Sequence, residues 1–172
     1  MLGTASSDDR HWYVARVRSC QEKKLAESLN AGGVEHYLPV RREIHRWSDR
    51  RKLVEVLVLP RFIFVRCTPA ERLQLLESES NMVSFLSQEG KPAVVRDAEM
   101  ETFRRMVDEG GGAVNLVQGH LAPGDRVRVV EGPLAGMECE LVSVASGRCL
   151  AVRLGLLGTA TMDIPIQSVV KI

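Results

Sequence analysis

The chain has 172 residues, 45% of them hydrophobic and 26% charged, with a formal net charge of +1 at pH 7. These are the values of an ordinary soluble globular protein of one medium or two small domains, and they carry no global signal for binding polyanions, so any basic footprint must be local. No apolar run approaches the ~20 residues of a membrane helix. The opening MLGTASSDDRH lacks the basic-then-apolar layout of an export signal and reads as a disordered tail over residues 1–10.

HWYVARVR (11–18) alternates and predicts a strand. Ser19 is a fitting N-cap for the helix carrying Leu25, Ala26 and Leu29, which Gly32-Gly33 stops. EHYLPVRREIHRW and KLVEVLVLPRFIFVRC read as strands broken at Pro39 and Pro60, with SDRR between them as a hairpin tip. TPAERLQLLESES has a Thr cap, a Pro at the first helical position and leucines at helical spacing. MVSFLSQEGKPAVV gives two short strands about a turn. RDAEMETFRRMVDEGGG gives a helix opened by Asp97, with Met100, Phe103, Met106 and Val107 on one side. The order β-α-β-β-β-α-β-β-α predicts an α+β domain, an antiparallel sheet with helices packed on it. One face of the sheet meets the helices and the other is left for a partner. The tri-glycine stretch and weak periodicity over 109–121 read as a flexible linker. Beyond it, short strands at 126–131, 138–145, 148–154 and 158–164 predict a small all-β barrel over 122–172.

Nothing in the chain invites catalysis. Cys20, Cys67, Cys139 and Cys149 form no CxxC pair and no zinc-type spacing with His36 or His45, so reduced thiols in a cytosolic protein are expected, with no metal and no cofactor. No nucleophile elbow, phosphate loop or dinucleotide fingerprint is present. Glu99 and Glu101 occupy a solvated helix face. A binding protein is the expectation.

Two segments carry a family pattern. WYVARV, followed at strand spacing by WSDRRKLVEVLVLPRFIFVR, resembles the N-terminal domain of NusG-type transcription elongation factors, which open on Trp-Tyr and carry a Pro-Gly-Tyr strand. PGDRVRVVEGPLAGMECELVSV resembles the KOW motif of that family's C-terminal barrel, here with Gly132, Pro133, Leu134 and Gly136 at the motif positions. The ending LGTATMDIPIQSVVKI also fits, and the two matches span residues 11–172 in the family's order. The resemblance implies a polymerase-binding domain over 11–108, tethered to a barrel that serves as a docking module. The middle segment is most similar to specialised members of the RfaH and UpxY kind, which antiterminate particular long operons. Arg61 stands where many members have Gly, so the turn there is expected not to need a positive φ. Cys139 replaces a Gly of many KOW motifs, which argues against RNA binding by the barrel.

The resemblance also assigns residues. It places Trp12, Leu59, Pro60, Phe62 and Phe64 in an exposed apolar patch that grips the clamp helices of RNA polymerase, although residues of an apolar strand, Trp12 and Phe64 above all, equally suit a buried core. It places Leu73, Gln74 and Leu75 at the opposite pincer, although leucines at helical spacing equally suit a buried face. Arg16, Arg18, Gln21, Lys23 and Lys24 cluster at the end of the first strand and the helix start. Specialised members use this corner on the non-template DNA strand, while a solvated face balanced by Glu22 and Glu27 is the alternative. RREIHRWSDRRK is the only strongly basic stretch. Its Arg46, Arg50 and Arg51 suit a hairpin arm lying along nucleic acid with Trp47 free to stack, or equally a hairpin whose edges are protected by charge. The barrel is expected to recruit a ribosomal protein or a termination factor, and the chain to be a monomer with no membrane partner. A KOW-type RNA-binding or ribosome-associated protein is the alternative function, disfavoured by a net charge of only +1.

Overall fold

The computed structural model describes residues 9–172, so the tail expected over 1–10 lies, up to residue 8, outside the described residues. Arg10, at the end of that stretch, pairs with Glu71 at 3.4 Å. Helices and antiparallel sheets alternate in an α+β chain that divides into two compact units. One runs up to Pro39 and resumes over Leu59–Asp97; the other comprises Val40–Val58 and Ala98–Ile172.

The first unit is built on β1 (His11–Val17), which pairs with β5 (Phe62–Cys67) along one side, and β5 with β2 (Glu35–Tyr37). Along its other side β1 takes β6 (Met82–Phe85) and then β9 (Val94–Val95), with the small hairpin β7 (Ser87–Gln88) and β8 (Lys91–Pro92) in the excursion between them. Side chains alternate faces along a strand. Tyr13, Ala15 and Val17 therefore share a face with Ile63, Val65 and Cys67, and helices α1 (Glu22–Ala31) and α2 (Pro69–Ser78) bury Leu25, Leu29 and Leu75 in the same cluster. Thr68 and Glu71 close a capping box at the start of α2. The Gly32-Gly33 stop ends α1, with the Val34 N–H donating to Leu29 O at 2.9 Å. Helix α1 itself starts later than its Ser19 cap predicts. Cys20 takes a left-handed φ of 63°, and Gln21 becomes the cap residue without lending its side chain.

The second face of this sheet is not left open. Trp12, Val14, Phe64 and Tyr37 occupy it in register and all are buried. Apolar residues stand at the alternate positions on both sides of β1 and β5, so neither side can remain in water without exposing aromatic area.

Pro60 breaks the run between the hairpin and β5 as expected, but the turn is not the one anticipated. Arg61 adopts a φ of 72°. A left-handed non-glycine residue costs roughly 1 kcal/mol. Hydrogen bonds hold it there: the Arg61 N–H donates to Glu22 Oε1 at 3.0 Å, and Arg61 O accepts from the Val17 N–H at 2.8 Å. Glu22 is only 4% exposed. The Glu22 carboxylate thus joins the start of α1 to the Pro60–Arg61 turn, and the backbone bond to Arg61 O ties the end of β1 to the same turn.

In the second unit β3 (Val40–Arg46) and β4 (Arg51–Leu57) pair only with each other, as a two-stranded hairpin. Helix α3 (Asp97–Glu109) buries Met100, Phe103, Met106 and Val107. A six-stranded antiparallel sheet follows, in the order β10 (Val114–Val117), β14 (Thr159–Asp163), β13 (Gly147–Arg153), β12 (Glu138–Val144), β11 (Asp125–Val129), β15 (Val169–Lys171). Strand β10 lies within the stretch read as linker; it pairs with β14 from Val114↔Met162 to Val117↔Thr159. Its four residues alternate too briefly to signal a strand, and their hydrogen-bond partners lie more than forty residues on. The KOW turn is held by a Gly136 N–H donated to Val129 O at 2.7 Å, with Gly132 and Gly136 both at positive φ and Leu134 buried. Cys139 is buried in the sheet's core; burial pushes its thiol, like that of Cys67, up to about 11. All four cysteines are free.

Glu140 organises the entry to this sheet. It accepts from Arg153 Nη2 at 2.8 Å and from the Gly124 N–H at 2.7 Å, while Arg153 Nη1 donates to Leu121 O at 2.8 Å. Gly124 approaches so closely that a Cβ there would lie 1.9 Å from Leu141 O. The Arg153 hydrogen bonds, followed by the Gly124 N–H, hold the Glu140 carboxyl below its ordinary pKa.

Two outcomes follow from these two carboxylates. Glu22→Ala should destabilise the first unit by about 1–3 kcal/mol, because the Arg61 N–H is orphaned in its strained turn. Arg61→Gly in that background should restore part of the loss, read by thermal unfolding followed through Trp12 fluorescence. For Glu140 the folded pKa is depressed, so its stabilisation is complete above the ordinary carboxylate value and vanishes as pH falls through the lowered one. Arg153→Ala should therefore cost the second unit ~1–3 kcal/mol at neutral pH. The gap from the parent should narrow below about pH 4, in urea titrations followed by the NMR signals of β12 and β13.

Candidate interaction surfaces

The residues expected to form one apolar patch separate by depth. Trp12, Leu59 and Phe64 are 4%, 6% and 0% exposed, so they are interior and cannot offer a free surface in this structure. The reason lies in the register: Phe64 stands between Val14 and Tyr37 in the middle of the sheet. Phe62, at the strand's first position and opposite Arg16, is half-buried, and Pro60 and Arg61 are exposed. What remains accessible is the turn 60–62, at the end of the strand that carries the buried Phe64. On α2 the expected trio divides in the same way, with Leu73 and Gln74 exposed and Leu75 in the core.

The basic corner stands beside that turn. Arg16, Arg18, Lys23 and Lys24 are exposed and Gln21 is half-buried, its side chain unused as a cap. Arg16, Arg18 and Lys24 form no ion pair among the described residues. Arg61, exposed and tied by its own N–H to Glu22 on α1, adds a fifth cation to the four at this corner. The sequence reading passed over it, because at that place it registered only as a missing glycine. Glu22, expected to balance the corner's charge, is buried and accepts the Arg61 N–H.

The hairpin tip is the second basic surface. The Trp47 N–H donates to Arg50 O at 2.8 Å, so the turn residues are Ser48 and Asp49. Residues 44–53 are exposed throughout. Trp47 is 49% exposed, and two cations of its own hairpin lie near the ring, the Arg50 guanidinium 5.1 Å from its centroid and the Lys52 ammonium 5.9 Å. Arg46 and Arg51 stand directly opposite each other on the other face. The third surface is the sheet edge β11–β15 with its KOW turn, where Val130, Ile166, Val170 and Ile172 are exposed. None of the described helices is long and apolar enough to cross a membrane.

Comparison with known proteins agrees with this architecture. The family model described as "Transcription termination factor nusG" matches residues 10–104. Among solved structures, one described as "Domain interaction in Thermotoga maritima NusG" superposes with a TM-score of 0.50 at 19% identity, covering 97% of this chain and 99% of that one. Another, described as "Crystal Structure of MjSpt4:Spt5 complex conformation B", matches at 15% identity and a TM-score of 0.30 over 94% of this chain and 96% of that one. No curated protein sequence matches. A family model that takes in the buried Trp12 face, the Pro60–Phe62 turn and α2, together with the shared α+β fold, places this chain in the NusG family of transcription factors.

Proposed function

We propose that this chain is a transcription elongation factor that rides on RNA polymerase and suppresses pausing and termination. The carrying observation is the Glu22 hydrogen bond, which fixes the exposed 60–62 turn beside a corner where Arg16, Arg18 and Lys24 are exposed and form no ion pair among the described residues. On this reading Pro60 and Phe62 meet the polymerase's clamp helices, while Leu59 and Phe64 flank them in the interior and Trp12 is buried farther along the sheet, opposite Arg66. Leu73 and Gln74 face the opposite pincer, with Leu75 as their anchor in the core. Bridging the two sides of the cleft opposes clamp opening. Arg16, Arg18, Lys23 and Lys24 take phosphates of the non-template strand, and Gln21 is placed to meet a base. Arg46, Arg50 and Arg51 extend the nucleic-acid contact along the hairpin.

The KOW-bearing unit, with Gly132, Pro133, Leu134 and Gly136 shaping its turn, is the recruiting module for a ribosomal protein or a termination factor. Likeness to the RfaH and UpxY kind supports action on a particular long operon. The chain works by binding, without catalysis or cofactor. A ribosome-associated role is less well supported, since a net charge of +1 neutralises few RNA phosphates. Co-purification with RNA polymerase, and not with ribosomes, is the deciding experiment.

Phe62→Ala should weaken polymerase binding by ~1–3 kcal/mol, as loss of a half-buried aromatic anchor does. The fold should stay intact, as judged by circular dichroism and binding titration. An Arg18→Ala/Lys24→Ala double variant should crosslink less to non-template DNA in assembled elongation complexes at matched polymerase occupancy. Equal crosslinking would show the corner to be a solvated face.

A further inference from the structure

The hairpin's two faces differ in a way that assigns them different tasks. On one face, Glu43 pairs with Arg41 and, at 3.2 Å, with His45, and Arg50 and Lys52 lie near the Trp47 ring. The polar and cationic groups there are matched by partners on the same face. The other face runs Val40/Leu57, Arg42/Glu55, Ile44/Leu53 and Arg46/Arg51 in cross-strand register. Its outer half holds two unsatisfied pairs. Ile44 and Leu53 are 65% and 59% exposed side by side. Arg46 and Arg51 are exposed opposite each other, with no ion pair among the described residues. Like charges directly opposite on a ribbon destabilise it, and an apolar pair left largely in water recovers only a small part of its burial energy. Both costs are removed by a ligand that brings anions to the arginines and apolar surface to Ile44 and Leu53.

We propose that this face of the hairpin inserts into the major groove of duplex DNA, with Arg46 and Arg51 on phosphates or guanine edges and Ile44 and Leu53 against thymine methyl groups. It deepens the reading of the hairpin as a nucleic-acid arm and rests on that reading, though not on polymerase binding. Shape supports it: seven residues per strand give an arm of roughly 20 Å at ~3.3 Å per residue. A two-stranded ribbon fits the major groove of B-DNA, about 12 Å wide. Charge supports it as well. Within residues 46–52 Arg46, Arg50, Arg51 and Lys52 face the single carboxylate of Asp49, in a chain whose net charge is only +1. A single strand is the poorer fit for this face, because such sites combine cations with an aromatic platform and the tip's only aromatic, Trp47, lies on the opposite face of the ribbon. An RNA duplex is poorer still, its major groove being too deep and narrow for side chains to read.

The test is fluorescence anisotropy of the full chain, without polymerase, against one 20-base-pair sequence in four forms. These are DNA duplex, the same duplex with uracil for thymine, single-stranded DNA and RNA duplex. Binding of the DNA duplex is expected in the ~1–100 µM range at low salt. Arg46→Ala/Arg51→Ala should lower that affinity about tenfold and reduce the log–log salt slope by about two. Uracil substitution should weaken the parent about fourfold per buried methyl, an effect that Ile44→Thr/Leu53→Thr abolishes. Trp47→Ala should leave duplex binding unchanged if the variant's circular dichroism matches the parent's. Preference for the single strand or the RNA duplex overturns the proposal, as does an arginine double variant that binds and responds to salt like the parent. Equal affinity for thymine and uracil duplexes overturns the placement of Ile44 and Leu53. Co-purification with polymerase is read separately, so loss of duplex binding with polymerase binding retained refutes this inference alone.

Discussion

The accessible chemistry of the first unit depends on one hydrogen bond from a backbone N–H to a buried carboxylate. Glu22 opens helix α1, yet it points inward to the Pro60–Arg61 turn and not outward to the lysines that follow it. That choice has two consequences. It lets a residue with a side chain occupy a left-handed conformation that glycine takes more cheaply, since the N–H that the turn exposes is satisfied by a charged acceptor. It also turns that carboxylate away from the solvent side of the corner, where Arg16, Arg18 and Lys24 stand exposed with no ion pair among the described residues. The same contact sets how far the turn carrying Phe62 stands from those cations. A flexible connection between the two would forfeit the simultaneous engagement that makes weak phosphate contacts useful.

A chain with almost no net charge can still present strongly basic surfaces if its carboxylates are spent elsewhere. Several are. Glu22 is committed to the turn, Glu71 to the cap of α2 and to Arg10, and Glu140 to Arg153 and Gly124. In the hairpin, Glu43 is held on the face that also carries Trp47, leaving Arg46 and Arg51 without a counter-charge on the other. Glu43 and Glu138 both sit below the ordinary carboxylate range, each chiefly through a hydrogen bond from an arginine, Arg41 and Arg128 respectively. Such exposed pairs add little stability. Their effect is to decide which cations are free to meet a polyanion.

In the second unit, the sheet's entry is fixed by Glu140 reaching back to Gly124 while Arg153 grips the carbonyls of Leu121 and Ala122. With β10 paired to β14, the residues leading into the KOW turn are constrained on both sides. The KOW turn itself is short, with Leu134 in the interior and Pro133 outside.

Much of this was legible in the chain. Period-two alternation in HWYVARV and RFIFV, the Thr-Pro-x-Glu cap, the Gly-Gly stop and the Gly-Pro-x-x-Gly turn are local signals, governed by sterics and hydrogen bonds within a few residues. They set the α+β class, the paired strands of the hairpin and the KOW turn. What the sequence could not settle depends on partners far along the chain. Phe62 and Phe64 are equivalent in composition and face the same way, but only the pairing of Phe64 with Val14 and Tyr37 buries one and leaves the other at the rim. Strand β10 exists because β14 offers its edge. Arg50 and Lys52 lie near the Trp47 ring because the turn's geometry brings them there. Arg61 is left-handed because a carboxylate thirty-nine residues earlier accepts its N–H. The sequence by itself determined which residues are apolar, charged or turn-forming, since those are properties of side chains and their nearest neighbours. The tertiary structure alone decided which of them face water, because burial and long-range hydrogen bonds are set by segments that meet only when the chain has folded.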